Sequence, residues 1–509
     1  MRAGRRAGTD TVHHVQLGLL IPAASERSHH LEITALAYDV EDVVPGALYF
    51  CLPGRPRDGH VSARDAIACG AAALVVERGV DAPVPQIVVE DVRRTMAAAA
   101  ARFNGNPSAQ LEIVGVTGTN GKTTTACLVQ ALLEADGRQT GLITTVTRVI
   151  GGVKHPPGFT TPPAVELQSL LRAMVDAGDV ACAMEASSHA LELSRADSVR
   201  FAAAIFTNLT HDHLDFHGTM ENYFQAKRRL FVDATPGHAI VNLDDPYGRR
   251  LADELEEPVT FAIERDAAFM ATDVEIGPSG SRFTVHTPHT TLELRVPLPA
   301  RFNVYNALGA LAAASALGVP QATAAVAIAA VEQVPGRCQL VDEGQDFAVV
   351  VDYAHTPDSL ENILAAAAQL VRRDNSGLGG DVWVVFGCGG DRDRQKRPLM
   401  GQLASQLADH VIVTSDNPRS EDPHAIIDEI LAGAGDGVAH DVDRRAAITE
   451  ALTGARAGDV VLIAGKGHER GQELEAGRTV PFDDVAVARA VLRRARRRAA
   501  TAGRASRGK

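Results

Sequence analysis

Residues 111–137 read LEIVGVTGTNGKTTTACLVQALLEADG, and this stretch decides the fold of the middle of the chain. The apolar run LEIVGV predicts a buried β-strand, TGTNG predicts a glycine-containing loop, and KTTTACLVQALLEA predicts an apolar-periodic helix. A strand, a glycine loop and a helix in this order form the βα unit of a nucleotide-binding sheet. Backbone N–H groups of such a loop, together with the helix N-terminus, bind phosphate oxygens.

The loop provides candidate ligands for the phosphates of ATP, which are Gly118, Thr119, Asn120, Gly121, Lys122, Thr123 and Thr124. Lys122 would neutralise the β- and γ-phosphates, and the Thr123 hydroxyl would reach Mg²⁺. Val116 stands where the strict G-x-x-x-x-G-K-[ST] pattern has its first glycine. The alternative is a glycine-rich turn with a surface lysine, but the flanking strand and helix favour a phosphate loop.

Alternating strands and helices extend from this loop in both directions and predict three α/β domains, as the length of 509 residues also suggests. We expect an N-terminal extension at 1–30, a first domain at 31–109, a central domain at 110–335, a C-terminal domain at 336–490 and a basic tail at 491–509. Four strand-then-polar-loop segments predict a second parallel sheet in the C-terminal domain. Ligand groups collect at the carboxyl ends of parallel strands, so the polar loops are candidate binding segments.

Composition excludes several classes of protein. Six scattered cysteines without a C-x-x-C pair indicate neither a disulfide framework nor a thiolate zinc site, and they fit a reducing cytosol. A net charge of −13 argues against a general nucleic-acid-binding protein. The apolar patch 15–24 is too short to span a membrane. The basic stretch 493–509 predicts a helix end that frays into a disordered terminus, with an interaction tail for acidic lipid or nucleic acid as the alternative.

Three segments of the central region carry side chains that could hold a metal ion, and these are Glu185, Ser187, Ser188, His189, His211, Asp212, His213, Asp215, His217 and Lys227. Phosphoryl transfer from ATP gathers negative charge and therefore needs Mg²⁺ and fixed cations. The residues alone leave 211–217 open between a magnesium site, a dizinc site with one residue too many, and a polar turn. The phosphate loop upstream favours magnesium.

The motif GVTGTNGKTTT resembles the phosphate loop of the Mur ligases and folylpolyglutamate synthases, and similarity to the Mur ligases covers about residues 32–490. Further matching segments are GR at 336–337, DYAHTPDSLEN at 352–362 and FNVYNALGA at 302–310. The resemblance implies an α/β fold with three-domain Mur ligase architecture. It has a central P-loop ATPase-like parallel sheet and a Rossmann-like C-terminal domain.

The resemblance also implies roles for particular residues. Arg337, Asp352 and Asn303 would contact ATP, although Asn303 and Asn306 also fit helix capping or a solvated face. The implied magnesium ligands are Thr123, Glu185, His213 and a Lys227 carbamylated by CO₂, and the implied catalytic residues are Lys122, Lys227 and His213. Residues implied to hold a UDP-muramoyl substrate are Thr160, Thr161, Ser187 and Arg195.

The segments GCGGDRDRQKRP, SDNPRSEDP and AGKGHE resemble the branch of the family that adds diaminopimelate. The implied amino-acid site comprises Arg392, Asp416, Asn417, Arg419, Gly465 and Glu469. Arg419 would pair with the distal carboxylate that distinguishes diaminopimelate from lysine, because a guanidinium binds a carboxylate through two parallel bonds. Without this context the D-N-P-R segment also fits a β-turn with an exposed arginine. Asp39-Val40-Glu41 stands where the family usually has D-S-R.

The implied activity is ATP-dependent addition of meso-diaminopimelate to UDP-N-acetylmuramoyl-L-alanyl-D-glutamate through an acyl phosphate, in peptidoglycan synthesis. We expect a cytoplasmic monomer without nucleic-acid partner or membrane insertion. Two alternatives remain open. One is a lysine-adding or another Mur or folylpolyglutamate-type ligase, and the other is a non-catalytic ATP-binding paralogue.

Overall fold

The computed structural model describes residues 14–54, 58–277, 279–373 and 379–507, with side chains described in these ranges except at 372–373 and 498–507. Its strands are β1 (Val15–Gln16), β2 (Glu32–Ile33), β3 (Ala35–Ala37), β4 (Ala47–Phe50), β5 (Ala73–Val76), β6 (Gln86–Val88), β7 (Glu112–Thr117), β8 (Thr140–Ile143), β9 (Arg148–Ile150), β10 (Val153–His155), β11 (Ala181–Glu185), β12 (Ala203–Phe206), β13 (His238–Asn242), β14 (Val259–Ala262), β15 (Phe269–Gly277), β16 (Gly280–His286), β17 (Thr291–Val296), β18 (Gln339–Leu340), β19 (Ala348–Asp352), β20 (Val382–Phe386), β21 (His410–Thr414), β22 (Ala439–Asp441), β23 (Val460–Ala464), β24 (Gly471–Glu473) and β25 (Thr479–Pro481).

Its α-helices are α1 (Leu17–Leu20), α2 (Ala63–Ala68), α3 (Val92–Phe103), α4 (Lys122–Ala135), α5 (Ala164–Asp176), α6 (Ser188–Glu192), α7 (Leu214–His217), α8 (Met220–Val232), α9 (Pro246–Glu254), α10 (Arg301–Ala316), α11 (Gln321–Ala329), α12 (Pro357–Arg373), α13 (Lys396–Leu407), α14 (Pro423–Ala434), α15 (Arg444–Gly454) and α16 (Asp484–Arg507). The chain forms two compact units. The first unit comprises the residues up to Gly115, Arg138–Ala202 and Ala226–Gly237, and the second comprises Val116–Gly137, Ala203–Gln225 and the residues from His238 onward.

The N-terminal part of the first unit is a parallel four-stranded sheet in the order β3-β4-β5-β6. Its core includes Leu17, Leu20 and Ile33, each 0% exposed. The strand β1 also pairs antiparallel with β2. Residues 15–24 of the predicted extension supply apolar side chains to this core. The start of that predicted extension, 1–13, lies outside the described residues.

The rest of the first unit contains the strand order β10-β9-β8-β11-β7. Strands β8 and β11 are parallel, whereas β9 pairs antiparallel with both β8 and β10. The polar residues that follow β11 begin at its carboxyl end, where parallel strands place ligand groups. Helix α5, which follows the Thr160–Thr161 pair, buries Leu167, Leu171 and Met174 on one face.

The second unit begins with the end of β7 and continues through β12, β13, β14 and β15, which run parallel, and then the antiparallel β16 and β17. The N–H of Thr207, just after β12, donates to the carbonyl of Thr117 at the end of β7, and the N···O distance of 3.0 Å is typical of a backbone hydrogen bond. Helices α10 and α11 are separated at Gly318 and Pro320, residue types that end helices.

The C-terminal part of the second unit is a six-stranded sheet in the order β18-β19-β23-β20-β21-β22, parallel except for β18. The predicted parallel α/β sheet is therefore confirmed. Strand β23 (VVLIA) is buried at every residue, as expected for a central parallel strand covered on both faces. Its neighbour β20 and the next strand, β21, end in the glycine-rich and D-N-P-R loops, so these loops meet at one edge.

Helix α16 extends to Arg507. This helix includes most of the basic stretch 493–509, whose fraying at the terminus stays a prediction, and residues 508–509 lie outside the described range. Within the described ranges, we find no helix with both the length and the apolar character that crossing a bilayer requires.

Candidate functional site

The phosphate loop lies between β7 and α4, as predicted, and two glycines give it its shape. Gly118 has a φ of +150° and Gly121, which precedes the helix, a φ of +85°. A Cβ at Gly118 would overlap the Thr207 hydroxyl, and one at Gly121 would overlap the side-chain oxygen Oδ1 of Asn306. Only glycine therefore satisfies both the backbone conformation and the close packing.

Side chains around the loop hold its backbone in place. The Asn120 N–H donates to Asn208 Oδ1 at 2.9 Å, and the Thr207 hydroxyl donates to the Asn120 carbonyl at 2.6 Å. The Lys122 ammonium donates to the carbonyls of Gly118 and Thr119 at 3.0 and 2.8 Å. The positive charge of Lys122 therefore lies directly over the loop that is proposed to cradle phosphate.

Asp358, in the first turn of α12, connects this loop to the C-terminal domain. Its Oδ2 accepts hydrogen bonds from Asn120 Nδ2 at 2.7 Å and from the Thr210 hydroxyl at 3.0 Å. Burial raises the pKa of Asp358, while these hydrogen bonds oppose the shift. Sequence reasoning missed this residue, because an acid in the first turn of a helix usually only complements the helix dipole.

Arg337 and Asp352 adjoin the phosphate loop from the C-terminal side. Arg337 Nη2 donates to the Thr123 hydroxyl at 3.1 Å, and its guanidinium lies 4.7 Å from the centre of the Tyr353 ring. Arg337 Nε is shielded from solvent and has no hydrogen-bond partner among the described residues. Asp352 accepts from the backbone N–H groups of Cys338 and Ala354 at 2.6 and 2.7 Å. Burial raises the Asp352 pKa, and Arg337 opposes this.

The two asparagines of α10 are buried, but only one of them touches the loop helix. Asn306 Oδ1 accepts from the Thr125 hydroxyl at 3.2 Å and lies against Gly121. Asn303 Oδ1 accepts from Asn306 Nδ2 at 3.0 Å, and Asn303 Nδ2 donates to the Pro299 carbonyl at 2.6 Å. Asn303 thus acts on the loop through Asn306.

His213 lies in the same unit at the start of α7, with a φ of +52°, and its ring packs edge-on to Tyr223 at 6.2 Å. Its Nε2 lies 3.3 Å from the Asp212 carboxylate. Burial acts to raise the Asp212 pKa, but the nearby His213, Lys122 and Lys396 hold it below its usual range. Burial lowers the pKa of His355 to about 4, so this imidazole is neutral near pH 7.

The four predicted magnesium ligands belong to different units: Thr123 and His213 to the second, and Glu185 and Lys227 to the first. Lys227 lies on α8 with only 1% of its surface exposed. Among the residues that the structure describes, no three His, Cys, Asp or Glu side chains form a metal-binding group.

The candidate UDP-substrate residues meet around Glu185 in the first unit. The Thr145 N–H donates to Glu185 Oε1 at 2.9 Å, and the hydroxyls of Thr145 and Thr160 lie 3.0 Å apart. The Thr161 hydroxyl donates to the Glu185 carbonyl at 2.8 Å and accepts from the Ser187 N–H at 3.1 Å. One hydrogen-bonded network therefore orients the hydroxyls after β8 and β11.

Arg195 joins the same network. Its Nη1 donates to the Thr161 carbonyl at 3.0 Å, and its guanidinium lies 5.5 Å from the centre of the Phe159 ring. Thr160, Thr161, Ser187 and Arg195, which the sequence assigns to one substrate, are thus neighbours. Sequence reasoning missed Thr145, because a threonine after an apolar strand carries no distinctive pattern.

The candidate amino-acid site lies at the carboxyl ends of β21 and β23 in the second unit. Lys466, which is 0% exposed, donates to Asn417 Oδ1 at 2.8 Å and to Glu469 Oε2 at 2.9 Å. It also lies 3.8 Å from the Asp416 carboxylate. Gly465 has a φ of +112°, and a Cβ there would lie 2.6 Å from Asp416 Oδ2. Lys466 therefore organises the polar side chains of this site, although sequence reasoning gave it no role.

The two arginines of this site flank Gly389. A Cβ at Gly389 would lie 2.9 Å from Arg419 Nη1 and 3.8 Å from Arg392 Cγ. Arg419, with a φ of +51°, donates from Nε to Glu473 at 2.7 Å and from Nη1 to the Gly390 carbonyl at 2.8 Å. These two bonds engage two of its five N–H groups, which leaves others for a ligand.

Comparison with known proteins supports a single family. The chain matches the Mur ligase middle domain over residues 116–314 and the Mur ligase glutamate ligase domain over residues 336–467. A UDP-N-acetylmuramoyl-L-alanyl-D-glutamate--2,6-diaminopimelate ligase of Geobacillus thermodenitrificans is 46% identical, covering 92% of this chain and 97% of the relative. A ligase of the same name from Streptomyces coelicolor is 44% identical, covering 94% of this chain and 95% of the relative.

Solved structures agree in fold. A structure of UDP-N-acetylmuramoyl-L-alanyl-D-glutamate--2,6-diaminopimelate ligase has a TM-score of 0.70 and 32% identity, covering 95% of this chain and 99% of the other. MurF from Acinetobacter baumannii has a TM-score of 0.63 at 22% identity, covering 89% and 96%, and is similar in fold alone. The α/β fold and the phosphate loop between β7 and α4 define a nucleotide-dependent class of protein. Within that class, the chain belongs to the Mur ligase family.

Proposed function

We propose that this chain is an ATP-dependent ligase that adds meso-diaminopimelate to UDP-N-acetylmuramoyl-L-alanyl-D-glutamate in peptidoglycan synthesis. The observation that carries the proposal is the contact of Arg337 with the Thr123 hydroxyl, which joins the phosphate loop to the domain that holds the amino-acid site. Relatives 46% and 44% identical carry the name of this activity. We further propose a cytoplasmic monomer without nucleic-acid partner or membrane insertion.

ATP would be held by the loop residues Gly118, Thr119, Asn120, Gly121, Lys122, Thr123 and Thr124, and by Asn303, Arg337 and Asp352. The unsatisfied Nε of Arg337 supports this assignment, because a shielded N–H donor without a partner is costly unless a ligand atom accepts from it. Lys122 would stabilise negative charge on the transferring phosphoryl group. Asp358 would fix the loop backbone in the receptive conformation.

The proposed magnesium ligands are Thr123 and His213 in the second unit and Glu185 and Lys227 in the first. Hydroxyl and carboxylate oxygens suit Mg²⁺, and carbamylation by CO₂ would convert Lys227 into a further oxygen ligand. Bound Mg²⁺ would neutralise phosphate charge during transfer. Lys227→Arg, which cannot form the carbamate, should lower kcat about 100-fold or more. In Lys227→Ala, added short-chain carboxylic acids should restore part of the lost kcat, because they can supply the missing oxygen ligand. Unchanged kcat in Lys227→Arg would contradict the carbamate.

The UDP-muramoyl dipeptide would be bound by Thr160, Thr161, Ser187 and Arg195. Three hydroxyls and a guanidinium suit the anionic groups of this substrate, and the Thr161 hydrogen bonds hold Ser187 in position. The dipeptide carboxylate would attack the γ-phosphorus of ATP and release ADP. The amine of the incoming amino acid would then attack the carbonyl carbon of the acyl phosphate, which forms the amide bond and releases phosphate and a proton.

The incoming amino acid would lie among Arg392, Asp416, Asn417, Arg419, Gly465 and Glu469. Arg419 would pair with the distal carboxylate and Glu469 with the distal amine. Burial acts to raise the Glu469 pKa, but Lys466 holds it below its usual range, so Glu469 is anionic at neutral pH. A site built to bind this distal carboxylate rejects lysine, because bound lysine would leave the Arg419 guanidinium without its carboxylate partner.

A phosphate-release assay tests the proposal with the nucleotide-sugar dipeptide, ATP, Mg²⁺ and a panel of amines. We expect turnover with meso-diaminopimelate and at least about 100-fold lower kcat/KM with lysine. Arg419→Met should remove most of this discrimination, whereas Arg172→Met on the exposed face of α5 should not change it. Turnover with lysine alone would indicate a lysine-adding ligase, and no turnover with any amine would indicate a non-catalytic paralogue.

A further inference from the structure

The first unit contains a cluster of charged and aromatic side chains that the assignments above use only in part. It comprises Tyr38, Arg93, Arg148, Phe159, Glu166 and Arg195. Only Arg195 has a proposed role in the activity. The cluster draws on β9, on the start of α5 and α3, and on the loop after β3, so several separate elements bring these groups together.

Arg148 is the unusual member of the cluster. Its Nε is shielded from solvent and has no hydrogen-bond partner among the described residues. The side chain packs so tightly over Gly158 that a Cβ there would overlap Arg148 Nη2. Burial lowers the Arg148 pKa while Glu166 opposes the shift. A shielded N–H donor without an acceptor is costly, so Arg148 Nε is a candidate donor to an acceptor from outside the chain.

Glu166 is the carboxylate that faces both Arg148 and Arg195. Its Oε1 accepts a hydrogen bond from the Tyr38 hydroxyl at 2.6 Å, whereas its Oε2 is shielded and has no partner among the described residues. Arg93 adds a third guanidinium that acts on Arg195, and Asp42 adds an acidic group that acts on Tyr38. Three guanidiniums against two carboxylates leave an excess of positive charge.

The aromatic side of the cluster is open to solvent. Phe159 is 60% exposed and lies next to Gly158, directly beneath the Arg195 guanidinium. Arg195 in turn donates to the Thr161 carbonyl, which ties the cluster to the hydroxyl network around Glu185. Arg148 therefore lies in the same neighbourhood as the residues proposed to bind the nucleotide-sugar dipeptide.

We propose that Arg148 is a second anion-binding guanidinium, which acts with Arg195 on an oxyanion of the nucleotide-sugar dipeptide. The oxyanion is a phosphate or a carboxylate, since both chemistries match a guanidinium with free N–H groups. Glu166 competes with that oxyanion for both arginines and so sets the affinity. This assignment rests on the proposed function, because the ligand is the proposed substrate.

The test compares steady-state kinetics of the wild-type enzyme with Arg148→Met, Arg148→Lys and Glu166→Gln. We expect Arg148→Met to raise KM for the nucleotide-sugar dipeptide about 10- to 100-fold, with KM for ATP and diaminopimelate within twofold of wild type. Glu166→Gln should lower the same KM about two- to fivefold, because it removes the competing charge. Arg172→Met, an arginine paired with Asp176 on the exposed face of α5, serves as the matched control.

Binding measurements identify which oxyanion of the substrate Arg148 binds. If the acceptor is the diphosphate, Arg148→Met weakens binding of UDP alone as well as of the full substrate. If the acceptor is the dipeptide carboxylate, UDP and UDP-N-acetylmuramate bind as to wild type, and only the dipeptide-bearing ligand is weakened. Either pattern supports the proposal, and both are measured by calorimetry with these three compounds.

A purely structural role for Arg148 makes a different prediction. Arg148→Met would then lower the melting temperature without changing any KM, and Glu166→Gln would leave substrate affinity unchanged. That pair of results would overturn the proposal. If Arg148→Met does not fold, unchanged KM in both Arg148→Lys and Glu166→Gln has the same meaning. Absence of turnover in the wild-type enzyme would instead contradict the proposed function.

Discussion

Replacing Lys466 with Met should destabilise the second unit and disrupt the amino-acid site together. The Lys466 ammonium is fully buried and lies within 2.9 Å of Asn417 Oδ1 and Glu469 Oε2. It also lies 3.8 Å from Asp416. Methionine is similar in volume but carries no charge, so the substitution leaves two carboxylates without their cation.

The size of the effect follows from the burial of this group. Removing one member of a buried ion pair costs about 3–5 kcal/mol of unfolding free energy. The Glu469 side chain is 28% exposed, so water relieves part of the penalty and we expect the lower end of that range. KM for diaminopimelate should rise at least about tenfold, because the same cation orients Asn417 and Glu469.

The unfolding free energy lost in Lys466→Met should depend on pH, in a direction set by the Glu469 carboxylate. In the wild-type protein Lys466 holds the Glu469 pKa below its usual range, so this pair stabilises the fold above the unfolded-state pKa of about 4.3. In the variant the uncompensated carboxylate has a raised pKa, and its penalty disappears as pH falls and it takes up a proton. The stability difference between the two proteins should therefore be larger at pH 8 than at pH 5.

Urea unfolding at both pH values measures this difference, with the exposed Lys154→Met as the matched control. The double variant Lys466→Met/Glu469→Gln should recover about 1 kcal/mol or more relative to Lys466→Met alone, because the stranded charge is gone. A deficit below about 1 kcal/mol that is equal at both pH values would refute the reasoning.

Three further substitutions test other parts of the structure. Gly118→Ala should weaken ATP binding at least about tenfold by calorimetry, because its Cβ would overlap a threonine hydroxyl at a φ of +150°, and a Kd within twofold of wild type would contradict this. Gly433→Ala should lower unfolding free energy by about 1–3 kcal/mol without changing KM for ATP, since its Cβ would overlap the Pro398 carbonyl where α13 meets α14. Arg444→Met should lower the unfolding free energy, measured by urea unfolding, by about 3–5 kcal/mol, because it leaves the fully buried Asp484 without its cation. The double variant Arg444→Met/Asp484→Leu should restore much of this loss.

Much of the fold could be predicted because parallel strands leave a clear pattern. Runs such as VVLIA at β23, buried on both faces and followed by polar loops, predicted the C-terminal sheet and the edge where ligands gather. The order β19-β23-β20-β21 could not be predicted, because local sequence does not record which strands pair. That order brings the loops of Asp416 and Gly465 together.

The parts that escaped prediction depend on burial and long-range contact. Lys466 lies in the AGKGHE motif, but nothing in the local sequence shows that its ammonium is fully buried among three polar side chains. Asp358 reads as an ordinary acid at a helix start, although it holds the phosphate loop 238 residues away. Leu17 and Leu20 belong to a short apolar patch, and only the tertiary packing shows that they form core.

Mass spectrometry of a single reaction mixture tests the central claim most directly. The mixture contains the nucleotide-sugar dipeptide with both oxygens of its reacting carboxylate replaced by ¹⁸O, together with ATP, Mg²⁺ and equal concentrations of meso-diaminopimelate and lysine. The account predicts phosphate carrying one ¹⁸O and a tripeptide product whose mass contains diaminopimelate and the other ¹⁸O. Unlabelled phosphate, or a product that contains lysine, would contradict it.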